Sequence, residues 1–128
     1  MPAPASEEII SRTERDLGVT FPAEHRARLR SDNGGPIAVA GGSPEETWQM
    51  HPVSDTTSSS DMQRTSASIS IQTTLVRFDE GFPDRAVVVG ASSGGDLLLL
   101  LGGDGNYVRW SPKTGVSEPV SVTWLAAP

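Results

Sequence analysis

The sequence predicts an α+β domain. Two N-terminal helices pack on a mostly antiparallel sheet, with one intervening helix and a last short element. Three observations carry this. Residues 6–32 hold two stretches of helical apolar period, and after Gly35 the period changes to strand-like alternation. Between residues 84 and 110, three apolar runs follow one another through Gly-rich turns, which points to hairpins rather than crossovers. A chain of 128 residues is the size of one domain, and its core needs no covalent staples.

The first helix is expected over 6–17. Ser6 is placed to cap it, Glu7 and Glu8 face its positive end, and Gly18 terminates it. Its apolar stripe is Ile9, Ile10 and Leu17, with Thr13 between them. Residues 1–5, rich in Pro and Ala, are expected to be frayed. The second helix is expected over 22–32, with Pro22 in its first turn and Asn33-Gly34-Gly35 stopping it. Phe21, His25 and Leu29 recur at i, i+4, i+8. The charged residues Glu24, Arg26, Arg28, Arg30 and Asp32 read as its solvated side.

Pro36 to Ala40 and Thr47 to His51 read as strands, the second with Trp48 and Met50 on one side. The Ser/Thr/Asp-rich stretch 53–67 reads as a mobile surface loop. Residues 68–80 fit either period: Ile69 and Ile71 alternate, whereas Ile71, Leu75 and Phe78 make a helical stripe. Their length and the following Gly81 favour a helix. Strands follow at Asp84–Gly90, Asp96–Leu101 and Asn106–Trp110. The turns between them are Ser92–Gly95 and Gly102-Gly103-Asp104-Gly105. Gly95 is expected to supply a positive φ, and Asp96 to bond the turn amides. Val120 to Ala127 is the last element. Leu17, Phe21, Leu29, Val88, Leu98, Leu100 and Trp110 are expected in one core.

Composition narrows the function. The chain has no Cys, which removes disulfides, thiolate metal sites and Cys nucleophiles. Two His residues, His25 and His51, are too few for a His-rich metal centre. Sixteen acidic against ten basic residues give a net charge of −6. That charge disfavours nucleic acid and favours a basic partner. The longest apolar run, Leu97 to Leu101, is far shorter than the ~20 residues of a spanning helix. With no signal-like start, a cytoplasmic location and no membrane contact are expected.

The search for chemistry finds one pattern. Gly90-Ala91-Ser92-Ser93-Gly94 fits the letters of a nucleophile elbow, but the residues after it read as a strand and both His precede the Ser. A Gly/Ser hairpin explains the match without catalysis. The Gly-rich stretches lack the Lys-Ser/Thr of a phosphate loop and do not match a calcium loop. Neither a catalytic residue, nor a metal ligand, nor a cofactor site is therefore assigned. Asp79, Glu80, Asp84 and Asp104 cluster at loop ends and are the candidate partner-binding residues. Trp48, Trp110 and Trp124 lie on apolar faces by alternation and read as core residues, with Trp48 the candidate if one serves instead as an exposed apolar anchor.

Several pieces, taken in order, resemble one family. Asp16-Leu17-Gly18-Val19 is followed by Phe21-Pro22-Ala23-Glu24-His25, Leu29 and Asn33-Gly34-Gly35. Then come Trp48-Gln49-Met50-His51-Pro52, Val87-Val88-Val89-Gly90 with Gly94-Gly95-Asp96, Val108 and Trp110, and Val122 to Leu125. This succession resembles the SUKH superfamily across nearly the whole chain, from Ile9 to Leu125. Three departures are His25, where the family usually has Tyr, Arg28, where it has an apolar residue, and the segment 53–68, which is more Ser-rich than is typical. The resemblance implies an α+β domain without catalysis, in which Val122 begins a C-terminal helix. It further implies an immunity protein that binds and neutralises a cognate bacterial toxin, such as a basic nuclease. A regulatory interaction module without a toxin is the alternative. A small hydrolase using Ser92 or the carboxylates is the reading from another class.

Overall fold

The computed structural model describes residues 5–31, 35–39, 47–53, 68–77, 82–83, 85–101 and 106–124. The elements are α1 (Glu7–Leu17), α2 (Ala23–Ser31), β1 (Gly35–Val39), β2 (Trp48–Met50), α3 (Ile69–Val76), β3 (Ala86–Ser92), β4 (Leu97–Leu101), β5 (Tyr107–Trp110), β6 (Ser117–Val120) and β7 (Val122–Trp124). This is the expected α+β class.

The first helix forms where its caps predict. Ser6 accepts from the Ile9 amide at 3.3 Å, and Gly18 closes the helix in the left-handed region at φ 71°. Ile10 and Thr13 are its buried residues. Residue 5 is not frayed: Ala5 is buried, and its amide donates to the Leu29 carbonyl at 2.8 Å. In the second helix the stripe Phe21, His25 and Leu29 is buried throughout. Arg28, expected in solvent, is buried as well, at 8% exposure, and its guanidinium donates to the Pro36 carbonyl at 3.2 Å. Gly35, at φ 107°, makes the room: a Cβ there would lie 2.6 Å from Arg28 Nη2.

All neighbouring strands pair antiparallel, in the order β6-β5-β4-β3-β2-β1-β7. The two edge strands, β6 and β7, are separated in the chain by Ser121 alone. Six strand spacings of about 4.8 Å would hold the edges of a flat sheet about 29 Å apart. Two Cα steps allow about 7 Å. The sheet therefore curls until its edges meet at Ser121. The inner face collects side chains from all seven strands or their flanks around Ile10, Phe21, Leu29 and Ile69, with Val120 and Val122 packed at the seam.

The expected single core is in fact two. Phe21, Leu29, Leu98 and Leu100 lie in the inner cluster, with Leu17 partly buried against it. Val88 and Trp110 belong to a second cluster with Leu99 and Val108, on the outer face of β3–β5. Alternation in a strand buried on both faces forces this split, because Val87 and Val88 must point opposite ways. Phe82 covers the outer cluster and meets Trp110 edge-on at 5.3 Å.

Three further expectations change. Val53 is fully buried in the inner core, so the surface segment cannot begin there. Residues 69–76 are helical, as their length suggested, but Leu75 is 68% exposed, and among the described side chains Ile69 and Thr73 are buried. The Thr73 hydroxyl accepts from the Val88 amide at 2.8 Å, which satisfies a β3 donor beyond the end of β2. Val122 begins a strand, not a terminal helix: it continues the line of β6 and pairs Val122–Trp124 with the open edge of β1. The polar strand Ser117–Val120 carried no alternation signal, and Pro119 is tolerated there because β6 is an edge.

Candidate functional site

Each polar group that could carry chemistry is positioned by a particular pair of elements. Glu14 on α1 accepts from the Phe21 amide at 2.6 Å and pairs with Arg26 of α2. Arg26 also reaches Glu7, which Arg30 meets at 3.1 Å. The charged side of α2 thus clamps the two helices together instead of lying wholly in solvent. His25 faces inward, its Nδ1 2.8 Å from the Tyr107 hydroxyl of β5, with Phe21 against its ring. Burial lowers the His25 pKa to about 3 and also lowers that of His51. Both rings are therefore neutral at pH 7. Burial raises the Tyr107 phenol above its ordinary range, with the Glu24 charge adding to it.

The β3–β4 hairpin accounts for the serine motif letter by letter. Gly90 stands where a Cβ would lie 2.9 Å from the Gln49 carbonyl of β2. The Ser92 hydroxyl accepts from the Asp96 amide at 3.0 Å, and β4 rather than a helix follows. Gly95 adopts φ 94° in the turn. Asp96 does not bond the turn amides; Ser92 does that. The Asp96 carboxylate instead accepts from Arg109 Nε at 2.6 Å, and the guanidinium lies 5.8 Å from the centre of the Trp48 ring.

Trp48 is buried, at 3% exposure, on the inner face with Ile37 and Met50. Its β2 alternation directs it into the core, as its apolar face predicts, so the second reading of Trp48 as an exposed anchor does not hold. The acidic candidates Asp79, Glu80, Asp84 and Asp104 lie outside the described residues, as do Asn33, Gly34 and the 102–105 turn. Pro22 directly precedes α2 and accepts its first hydrogen bond, from the Arg26 amide at 3.0 Å.

One cleft was not foreseen. It has a volume of about 260 Å³ and lies between the end of α1, the end of α3 and the start of β3. Asp16, Arg77 and Arg85 stand at its walls, over apolar contributions from Leu17, Phe82 and Ala86. These residues come from three separate segments, and no spacing rule unites them. The one local signal is structural: Arg85 has φ 63°, alone among the described non-glycine residues in being positive.

The helix pair, the Trp48 strand and the β3–β4 hairpin follow in the order that the sequence resemblance requires. The family model for SMI1/KNR4 (SUKH-1) matches residues 4–127. The chain belongs to the SMI1/KNR4 family. No curated protein and no solved structure matches it at a significant level. The His25 and Arg28 departures from the SUKH pattern are used by this member inside the fold: His25 bonds Tyr107, and Arg28 fills the space over Gly35. No described helix is long and apolar enough to cross a membrane.

Proposed function

We propose that this chain is a non-catalytic binding domain that acts as an immunity protein, neutralising a basic toxin in the cytoplasm by covering its working surface. The observation that carries the reading is the match to the SMI1/KNR4 (SUKH-1) family over residues 4–127. The net charge of −6 supports a basic partner, because complementary charge speeds encounter. Asp79, Glu80, Asp84 and Asp104 are the carboxylates assigned to that steering. The engagement of Ser92, Asp96 and His25 within the fold supports binding over hydrolysis.

The test is co-expression in bacteria with the C-terminal domain of a large protein encoded beside this gene. Survival of cells that otherwise die, together with a stable complex on gel filtration, is the expected result. Survival should persist with Ser92→Ala, since a binder needs no nucleophile there. Neither protection nor complex formation would overturn the immunity reading and leave the regulatory module. Loss of protection with Ser92→Ala in a folded protein would favour the hydrolase.

A further inference from the structure

We infer that the outward stripe of α3, centred on Leu75, docks into an apolar groove with a basic rim on a partner protein. This rests on the reading of the chain as a binding domain, and it supplies the apolar anchor that the buried Trp48 does not.

α3 carries apolar residues on two faces. Ile69, Thr73 and Val76, at i, i+4 and i+7, form its inward side. Ile69 is fully buried in the inner cluster, Val76 packs against the outer one, and between them the Thr73 hydroxyl accepts from the Val88 amide. Leu75 lies on the opposite face, 68% exposed, and Ile71 stands one helical turn before it on that face. In the sequence the stripe continues to Phe78, which lies outside the described residues. The helix cannot turn Leu75 inward without withdrawing Thr73 from Val88, which would leave a buried strand amide without its acceptor. The fold therefore fixes a leucine in solvent.

The outward side also lacks what solvates the other helices. α1 carries six charged residues and α2 carries four, whereas Ile69–Val76 carries none. A helix apolar on both sides is ordinarily covered on both. A single exposed leucine needs no such explanation. A leucine in a stripe of helical period, on an uncharged helix, is the pattern of a helix that enters a partner's groove. Charge selects the partner. Residues 77–85 hold three acidic residues, Asp79, Glu80 and Asp84, against the basic Arg77 and Arg85, and the whole chain has a net charge of −6. A second copy of this chain would bring the same negative excess to the contact, and anionic membranes and nucleic acid repel it likewise. An apolar groove rimmed by Lys or Arg suits both the stripe and the charge.

The test needs no toxin. Protein labelled with nitrogen-15 and with carbon-13 at its methyl groups is titrated with the blocked peptide N-acetyl-Lys-Leu-Leu-Lys-amide and with its Glu-Leu-Leu-Glu counterpart. The expected result is saturable movement of the Leu75 methyl signals and of the Thr74 and Val76 amide signals with the Lys peptide. The Glu peptide should bind at least ~10-fold more weakly. Leu75→Gln, which keeps the helix propensity, should weaken the Lys peptide at least ~10-fold at an unchanged melting temperature. Val116→Thr, at the other large apolar residue exposed among those described, should bind as the wild type does. Absence of saturable shifts on α3, equal binding of the two peptides, full binding by Leu75→Gln or an equal loss in Val116→Thr would each overturn the inference. A clear drop in the melting temperature of Leu75→Gln would do so too, by giving Leu75 a role in the fold. So would a dimer on gel filtration that Leu75→Gln dissociates, by giving the stripe to a second copy. Because the peptide titration and the survival assay use different partners, failure of this stripe leaves the immunity reading standing, and the reverse holds as well.

Discussion

His25 Nδ1 and the Tyr107 hydroxyl lie 2.8 Å apart, joining α2 to β5 across a sequence separation of 82 residues. The bond fastens a helix to the inner face of the sheet at a point where an apolar pair would pack without direction. A neutral imidazole can meet the hydroxyl as donor or acceptor, so the pair tolerates burial that an imidazolium would not.

Acid should therefore weaken the fold through His25. Its folded pKa is lowered from 6.5 to about 3 by burial. Below pH 6.5 the unfolded chain takes up a proton that the folded chain refuses. The stability is complete above 6.5 and is lost as pH falls towards 3, at a slope of about 1.4 kcal/mol per pH unit. Urea titrations at pH 7 and pH 5 should show a larger fall for the wild type than for His25→Gln. Equal falls would show that His25 does not titrate in this way. His51, whose pKa is also lowered, contributes in the same direction.

Leu29 is fully buried between α2 and the inner sheet face. Leu29→Ala should cost about 2–5 kcal/mol, the range for buried leucines. A loss below ~0.5 kcal/mol in chemical denaturation would place Leu29 at the surface.

Gly35 and Arg28 should be coupled. Gly35→Ala places a Cβ against the Arg28 guanidinium and strains a φ of 107°. We expect a loss of about 1–3 kcal/mol. In an Arg28→Ala background the steric part is relieved and the backbone part remains. A double-mutant cycle should then give a smaller, non-zero cost for Gly35→Ala. Strict additivity would mean that the two residues do not meet.

Gly95→Val should lower the melting temperature, because a β-branched residue must then adopt φ 94° in the β3–β4 turn. No side chain crowds the site, so the loss measures backbone strain alone. An unchanged melting temperature would mean that the turn rearranges at little cost.

If the cognate toxin is basic, association should be steered by the acidic loop residues. Reversing Asp79 and Glu80 to Lys should slow association several-fold and flatten its salt dependence, with a smaller effect on dissociation. Stopped-flow measurements at two ionic strengths read this directly. An association rate indifferent to both salt and the reversals would remove electrostatic steering from the proposal.

Local physics made much of this protein legible from its sequence. Ser6 and Gly18 mark the ends of α1 because caps act within one turn of chain, and the Phe21–His25–Leu29 stripe marks the buried side of α2 because helical period is local. Val108 and Trp110 alternate with Tyr107 and Arg109 for the same reason. Partners distant in the chain were decided only by the tertiary structure. Burial of Arg28, the pairing of Asp96 with Arg109, and the division of Val87 from Val88 between two cores depend on how the sheet curls. So does β7, whose three residues become a strand because β6 delivers them to the open edge of β1. The cleft with Arg85 belongs to the same class. Its walls come from three segments, and a left-handed backbone at an arginine leaves no trace in residue type. Capping and period act over a few residues, whereas closure of a sheet is a property of all its strands at once.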